Sequence, residues 1–325
     1  MDKILITGAA GSCGSYMTEH LIRSYPEARI YPLARNAESL KKRNIQSTPT
    51  IYPVYCDLSD WSATLQMVRD VQPTHIFHFA SNANVHQSFE QPLSILKNNI
   101  FSSAHLFESL RLQKSSARVL LCSTSEVYGQ VRPDEVPISE KNAIRPASPY
   151  AVSKTTQDLL ADVYFSAYGL SVIKSRMFTY INPRRANLFA TAFALQVARI
   201  EAGQATELVH GNLESVRTHL DIRDAIEAYV LLMDKGVPGE VYNLGGEVPF
   251  TIGDFLTRLK SQARCEIRSR EDATLLRPVD VTLQIPDVRK FYSLTGWKPR
   301  FNLSQSVEFL LSECRASVAR ENSVS

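Results

Sequence analysis

The stretch Ile4-Leu5-Ile6-Thr7-Gly8-Ala9-Ala10-Gly11-Ser12-Cys13-Gly14-Ser15-Tyr16 decides the fold. A short apolar run ends in three glycines spaced three apart, and Tyr16 to Arg23 then carries helical spacing. Glycine is scarce, 13 in 325 residues, so three within seven positions mark a place where the backbone itself is needed. Strand, tight turn and helix in that order bring free N–H groups at a helix start up to an anion. That arrangement suits the pyrophosphate of a dinucleotide.

Outward from that loop, short apolar runs alternate with amphipathic stretches. Ala28 to Leu33, Ile51 to Tyr55, Thr74 to Phe79, Arg118 to Cys122 and Ser171 to Arg176 read as strands. Trp61 to Val71 and Pro92 to Leu112 read as helices. Ser148-Pro149 supplies an N-cap and a first helical proline for a further helix ending near Gly169. Strands this short and apolar, alternating with helices, predict a parallel sheet covered on both faces. The expected fold is α/β, a Rossmann-type doubly wound sheet over residues 1–178 that binds NAD(P). A smaller C-terminal α+β domain over 179–325 binds substrate. Some of its elements return to the first domain, and Glu240 to Gly246 reads as a strand returning within the C-terminal half. Ala316 to Ser325 is polar and small and is expected to fray.

Composition removes several classes of function. Lys+Arg 36 against Asp+Glu 33 gives +3, too balanced for a nucleic-acid or membrane binder. Five scattered cysteines with no C-x-x-C pair point to structural thiols in a reducing compartment, and hence to a cytoplasmic protein. His75, His78 and His86 have no metal-ligand spacing, so no metal site is expected.

Cofactor preference is read at the end of the second strand. An acid there would bind the ribose 2′-hydroxyl, but the chain has Pro32-Leu33-Ala34-Arg35-Asn36. Arg35 favours a 2′-phosphate and therefore NADP, with NAD the alternative. Asp57, after the third strand, is placed for the adenine end and can also cap the helix before Trp61.

Tyr150 and Lys154 are four apart on one helix and share a face. A tyrosine has a reference pKa near ~10 and needs a neighbouring positive charge to serve as a base. The pair follows a strand that ends in Ser123-Thr124-Ser125-Glu126 and then Val127-Tyr128-Gly129.

With these motifs the chain resembles the extended short-chain dehydrogenase/reductase family. Within it the resemblance is to the GDP-sugar branch of GDP-mannose 4,6-dehydratases and GDP-4-keto-6-deoxy-mannose reductases. Gly211 to Arg217, Asp221 to Asp224, Gly239 to Leu244, Leu276-Arg277-Pro278 and Gly296 to Pro299 extend the similarity over nearly the whole chain.

The resemblance implies the following roles. Tyr150 takes the proton of the sugar 4-hydroxyl, Lys154 lowers the tyrosine pKa and holds the nicotinamide ribose, and Thr124 binds the oxygen that becomes the ketone. In a dehydratase Glu126 removes the C5 proton and helps expel water. Gly8, Gly11, Ser12, Cys13, Gly14, Arg35, Asp57, Leu58, Ala80, Ser81, Asn99, Tyr150 and Lys154 hold the cofactor. Thr179, Asn182, Arg185, Arg217 and Arg277 hold the nucleotide-diphosphate sugar, expected to be GDP-linked, with the arginines on the diphosphate. A homodimer or homotetramer is implied through the 92–112 and 148–168 helices.

The activity favoured is 4,6-dehydration. The alternatives are 4-reduction of a 4-keto-6-deoxy sugar, and 4-epimerisation or 4-dehydrogenation of a related sugar nucleotide. A non-catalytic cofactor-binding protein is disfavoured by the intact glycine loop and Tyr-Lys pair. Three departures from the family pattern bear on the substrate. Thr179 replaces an Asn, Phe193 stands where a base-binding Lys is usual, and Arg217-Thr218-His219 replaces Arg-Asp-Phe.

Overall fold

The computed structural model describes residues 2–276 and 281–322. β1 (Lys3–Thr7) leads through the glycine turn to α1 (Ser12–Ser24). There follow β2 (Arg29–Ala34), α2 (Ala37–Lys41), β3 (Val54–Tyr55), α3 (Trp61–Val71), β4 (His75–His78) and α4 (Val85–Glu90). α5 (Pro92–Leu112), β5 (Arg118–Thr124), α6 (Pro149–Tyr168) and β6 (Val172–Met177) complete the first half. The second half comprises β7 (Tyr180–Ile181), α7 (Phe189–Glu201), β8 (Leu208–His210), β9 (Val216–Arg217), β10 (Leu220–Asp221) and α8 (Ile222–Lys235). After these come β11 (Val241–Leu244), β12 (Phe250–Thr251), α9 (Ile252–Ser261), β13 (Ser269–Glu271), β14 (Leu283–Gln284), α10 (Arg289–Thr295) and α11 (Leu303–Asn322).

Among the described residues seven parallel strands form one sheet in the order β11-β6-β5-β4-β1-β2-β3. Alternate side chains of each strand enter different cores. Ile4, Ile6, Phe77, Leu120 and Ile173 face α1 and α8, while Leu5, Ile76, Val119, Leu121 and Val172 face α3, α5 and α6. Both faces are therefore dry, which is why the strands read as apolar runs without alternation. A third core, around Phe193, Val197, Phe255, Leu259, Leu310 and Leu311, joins α7, α9 and α11 into the smaller lobe. No helix among the described residues is long and apolar enough to cross a membrane.

Local rules set the boundaries. Asp60 caps α3 by accepting the Ala63 N–H at 3.0 Å, and Ser148 caps α6 by accepting the Ala151 N–H at 3.1 Å. α6 stops at Gly169, whose φ of 69° is the left-handed C-terminal turn that glycine adopts freely.

Four expectations are corrected. The third strand shrinks to Val54–Tyr55 because Pro53 has no N–H for the ladder, and Ile51 makes isolated bridges to Ile30 and Thr48. The helix that starts at Trp61 is capped by Asp60, and Asp57 instead accepts from the Ser59 N–H and hydroxyl. β11 leaves the C-terminal half to pair with β6 at the edge of the main sheet. The expected frayed tail is helical through Asn322, because Cys314 and Val318 are buried in the third core and Arg315 pairs with Glu201.

Two buried polar connections fix the sheet to its helices. Arg176 on β6 reaches Asp158 on α6 at 2.7 Å, both enclosed, and a buried pair is costly to break from one side. His78 Nδ1 lies 2.7 Å from Thr7 Oγ1, and its Nε2 lies 2.8 Å from Ser103 Oγ on α5. Thr7 Oγ1 also accepts the Ala80 N–H at 3.1 Å, which joins the ring to the segment after β4. Burial first, then Lys154, pushes the His78 pKa down to about 3.

The unfolded chain thus binds a proton near ~6.5 that the folded chain refuses until about pH 3. The His78 contribution is complete above ~6.5 and is lost on acidification, at roughly 1.4 kcal/mol per pH unit. Urea unfolding of the native chain and of His78→Asn between pH 4 and 7 checks this. The variant is expected to be less stable at neutral pH and to show a shallower decline.

Candidate active site

The strand order reverses at β1, which lies between β4 and β2, and a cleft of about 510 Å³ opens outside the carboxyl ends of these strands. Its floor is the glycine turn after β1 and the segments that follow β4, β5 and β6. The smaller lobe roofs it with residues of α7, of the 209–217 segment and of β14.

The glycine turn is built by contact. A Cβ on Gly14 would lie 2.2 Å from the Gly8 carbonyl oxygen, and one on Gly8 would lie 2.9 Å from the Ala80 nitrogen. Gly8 also has φ of 68°. These contacts draw the start of α1 against the ends of β1 and β4. No side chain caps α1 at Gly11, whereas Asn36, Asp60, Asn84 and Ser148 cap their helices. First-turn N–H groups are thereby left for an anion, and the cradle fits a dinucleotide pyrophosphate.

Gly8, Gly11, Ser12, Cys13, Gly14 and Ser81 line the cleft together with Tyr150 and Lys154. Arg35 and Asp57 are exposed beyond its end, close enough for the Arg35 charge to help lower the Asp57 pKa, after the hydrogen bonds from Ser59. Three expected cofactor residues act from behind. Leu58 is a core residue whose carbonyl meets His105 Nδ1 at 2.9 Å, and Ala80 supports Gly8. Asn99 is fully buried, accepting the Asn82 N–H at 2.7 Å and donating to Asn82 O and Ser153 Oγ. It holds the segment after β4 against α5 and α6.

Thr124 ends β5, Glu126 lies two residues beyond, and both share the cleft with Tyr150 and Lys154. Gln284 Nε2 reaches Glu126 Oε1 at 3.4 Å from β14, tying the carboxylate to the smaller lobe. Lys154 Nζ donates to Cys122 O and Gln157 Oε1, both at 2.6 Å, and burial lowers its pKa. Burial pushes the Tyr150 phenol well above its usual value. The Arg185 guanidinium is the largest opposing influence, Cys122 and Glu126 add to the rise, and a hydrogen bond with Thr124 opposes it. Arg185 thus bears on Tyr150 from the segment after β6, in addition to the Lys154 that the Tyr-Lys spacing pointed to.

Thr179, Arg185 and Arg217 line the cleft. Arg217 donates to the Val216 and Val281 carbonyls at 2.9 and 2.5 Å. Asn182 does not line it. That side chain is fully buried, donating to Ser12 O at 3.3 Å and accepting the Arg184 N–H at 2.9 Å, so it braces the glycine turn from the far side. Arg277 lies outside the described residues. Sequence reasoning missed Gln157, Tyr180 and Gln284. Gln157 sits three residues after Lys154 and was available to a helical reading, but the other two are brought in only by tertiary packing.

A model of the GDP-mannose 4,6-dehydratase family matches residues 5–309. The chain belongs to this family. It is 26% identical over 322 residues to the GDP-6-deoxy-D-mannose reductase of Pseudomonas aeruginosa, covering 98% of this chain and 99% of the relative. It is 25% identical to the GDP-mannose 4,6-dehydratase of Yersinia enterocolitica, covering 94% and 91%. The structure of RMD from P. aeruginosa complexed with NADPH has the same fold, with a TM-score of 0.81 at 24% identity over 97% of this chain and 99% of that one. Membership makes the protein a nucleotide-sugar-modifying enzyme of the NAD(P)-dependent extended short-chain dehydrogenase/reductase type.

The placement of Asn182 has a measurable consequence. Asn182→Ala leaves buried polar groups without partners, a loss of about 1–3 kcal/mol. It is expected to lower the melting temperature and weaken NADPH binding, read by fluorescence titration. The KM for the sugar nucleotide at saturating cofactor should change less than twofold.

Proposed function

We propose that the enzyme is a GDP-mannose 4,6-dehydratase that uses NADP. The observation that carries this reading is the convergence of Thr124, Glu126 and Tyr150 on one cleft, because elimination needs an acid/base beside the tyrosine. The nicotinamide cofactor that the glycine turn and Lys154 would hold would supply a hydride acceptor for C4 of the sugar and the hydride returned to C6. Tyr150 takes the proton of the 4-hydroxyl, and Thr124 donates a hydrogen bond to the oxygen that becomes the ketone. Glu126 removes the C5 proton, which the ketone has made acidic, and passes a proton to the departing 6-hydroxyl. Lys154, anchored on the Cys122 carbonyl, holds the nicotinamide ribose. Arg35 at the end of β2 supports a 2′-phosphate and hence NADP over NAD. We assign the substrate side to residues 179–325, with Thr179 and Arg217 from that half and the diphosphate nearest Arg217.

A second reading is the 4-reduction of GDP-4-keto-6-deoxy-mannose, favoured by end-to-end similarity to the Pseudomonas reductase. Mass spectrometry of GDP-mannose incubated with the protein and NADP⁺ separates the two. The dehydratase yields a product lighter by one water with no net NADPH. The reductase leaves GDP-mannose unchanged and consumes NADPH with the keto sugar. In the first case Glu126→Gln should lower product formation by about 10²-fold or more while hydride transfer from C4 still gives a transient NADPH absorbance.

Self-association through α5 and α6 is part of the same proposal. These neighbouring helices leave Leu93, Phe101, Val152, Leu159 and Val163 exposed on the outer layer. Light scattering should give a dimer or larger for the native chain and a monomer for the double variant Leu159→Glu, Val163→Lys.

A further inference from the structure

Arg185 sits where a phosphate clamp was expected, but its surroundings are those of the reaction centre. One Nη donates to the Tyr180 hydroxyl at 3.2 Å and the other to the Ala83 carbonyl at 3.0 Å. The guanidinium therefore bridges the segment after β4 and the segment after β6, across the floor of the cleft that Tyr150 and Cys122 also line. Both acceptors are neutral. Among the described residues no carboxylate pairs with Arg185, in contrast to Arg176 with Asp158 and Arg184 with Glu19. A fixed guanidinium without an anionic partner keeps its whole field for whatever ionises nearby.

Lys154 is differently placed. Its Nζ is directed at the Cys122 carbonyl and at Gln157, whose own Nε2 donates to Asn99 O at 2.6 Å. That chain of hydrogen bonds fixes the ammonium against the sheet and along α6.

From this geometry we propose that Arg185 is a second positioning charge for Tyr150, fixed across the floor of the shared cleft and acting beside Lys154, which also anchors the helix and the ribose. This rests on the reading of Tyr150 as the base. Tyr150 is faced by Arg185, by the Cys122 thiol and Glu126 carboxyl after β5, by the Thr124 hydroxyl, and by Lys154 one turn along its own helix. Arg185 is faced by Tyr180, Tyr150, Cys122, Cys13 and Lys154. Every other group here that ionises near Tyr150, Lys154 excepted, carries a negative or no charge. Removing Arg185 thus leaves Lys154 as the one positive side chain facing the phenol, with the Thr124 hydroxyl, against its burial, Cys122 and Glu126.

The test is the pH dependence of kcat and kcat/KM for Arg185→Lys and Arg185→Met, with folding verified by circular dichroism. Abstraction needs the phenolate, so activity rises with pH through the tyrosine pKa. Arg185→Met is expected to move that acid limb upward by about one pH unit or more and to lower turnover at pH 7 about tenfold, which higher pH restores. Arg185→Lys, which keeps the charge, should leave the limb within half a unit of the native position, a rough bound set by one charge at similar range. If the methionine variant does not fold, Arg185→Gln keeps donors for Tyr180 and Ala83 without the charge and serves in its place. A raised KM for the sugar nucleotide with an unmoved acid limb would overturn the proposal and return Arg185 to the phosphates. Tyr150→Phe is run in parallel. Full activity there would overturn the base assignment itself, whereas an inactive Tyr150→Phe with unshifted Arg185 variants would overturn only the role of Arg185.

Discussion

The contact between Gly14 and the carbonyl of Gly8, too close for any Cβ, is the constraint on which the rest of the molecule depends. It sets the start of α1 against the end of β1. That in turn puts uncapped N–H groups at the place where the sheet order reverses. The segments after β4, β5 and β6 then have one shared space to line, and the smaller lobe closes over it. A side chain at position 14 would push the helix off the sheet and open the cradle before any catalytic residue was touched.

Around that space the protein spends buried polarity on position. Asn99 ties the segment after β4 to α6 through Ser153, Gln157 ties Lys154 to α5, and Asn182 ties the smaller lobe back to the glycine turn. None of the three needs a ligand to be satisfied. They are the means by which Thr124, Glu126 and Tyr150, from two different elements, stay together in a cleft wide enough for a cofactor and a sugar.

Much of this was legible in the chain. The apolar runs, the glycine turn, Pro92 and the Ser148-Pro149 start gave the parallel sheet and the longest helices, because each signal is local. The Tyr150-Lys154 spacing and the Thr124-Ser125-Glu126 string marked residues that share the cleft for the same reason. What stayed hidden is tertiary. Asn182 and Asn99 carry ligand-like chemistry but are turned to structural partners. Arg185 acquires its setting only when β6 and the segment after β4 converge. The tail from Ala316 read as polar, yet its Val318, one turn after Cys314, is on the side of a helix that the third core needs. Local composition could not say which side would be covered.

The proposed reaction requires Tyr150 to be the proton acceptor in the nucleotide-sugar cleft. Its most direct test is calorimetric binding of GDP-mannose to Tyr150→Phe in the presence of NADP⁺, with turnover measured on the same preparation. The expected result is affinity within about threefold of the native enzyme and turnover reduced by about 10³-fold or more. Native turnover in Tyr150→Phe, or loss of binding together with loss of activity, would contradict it.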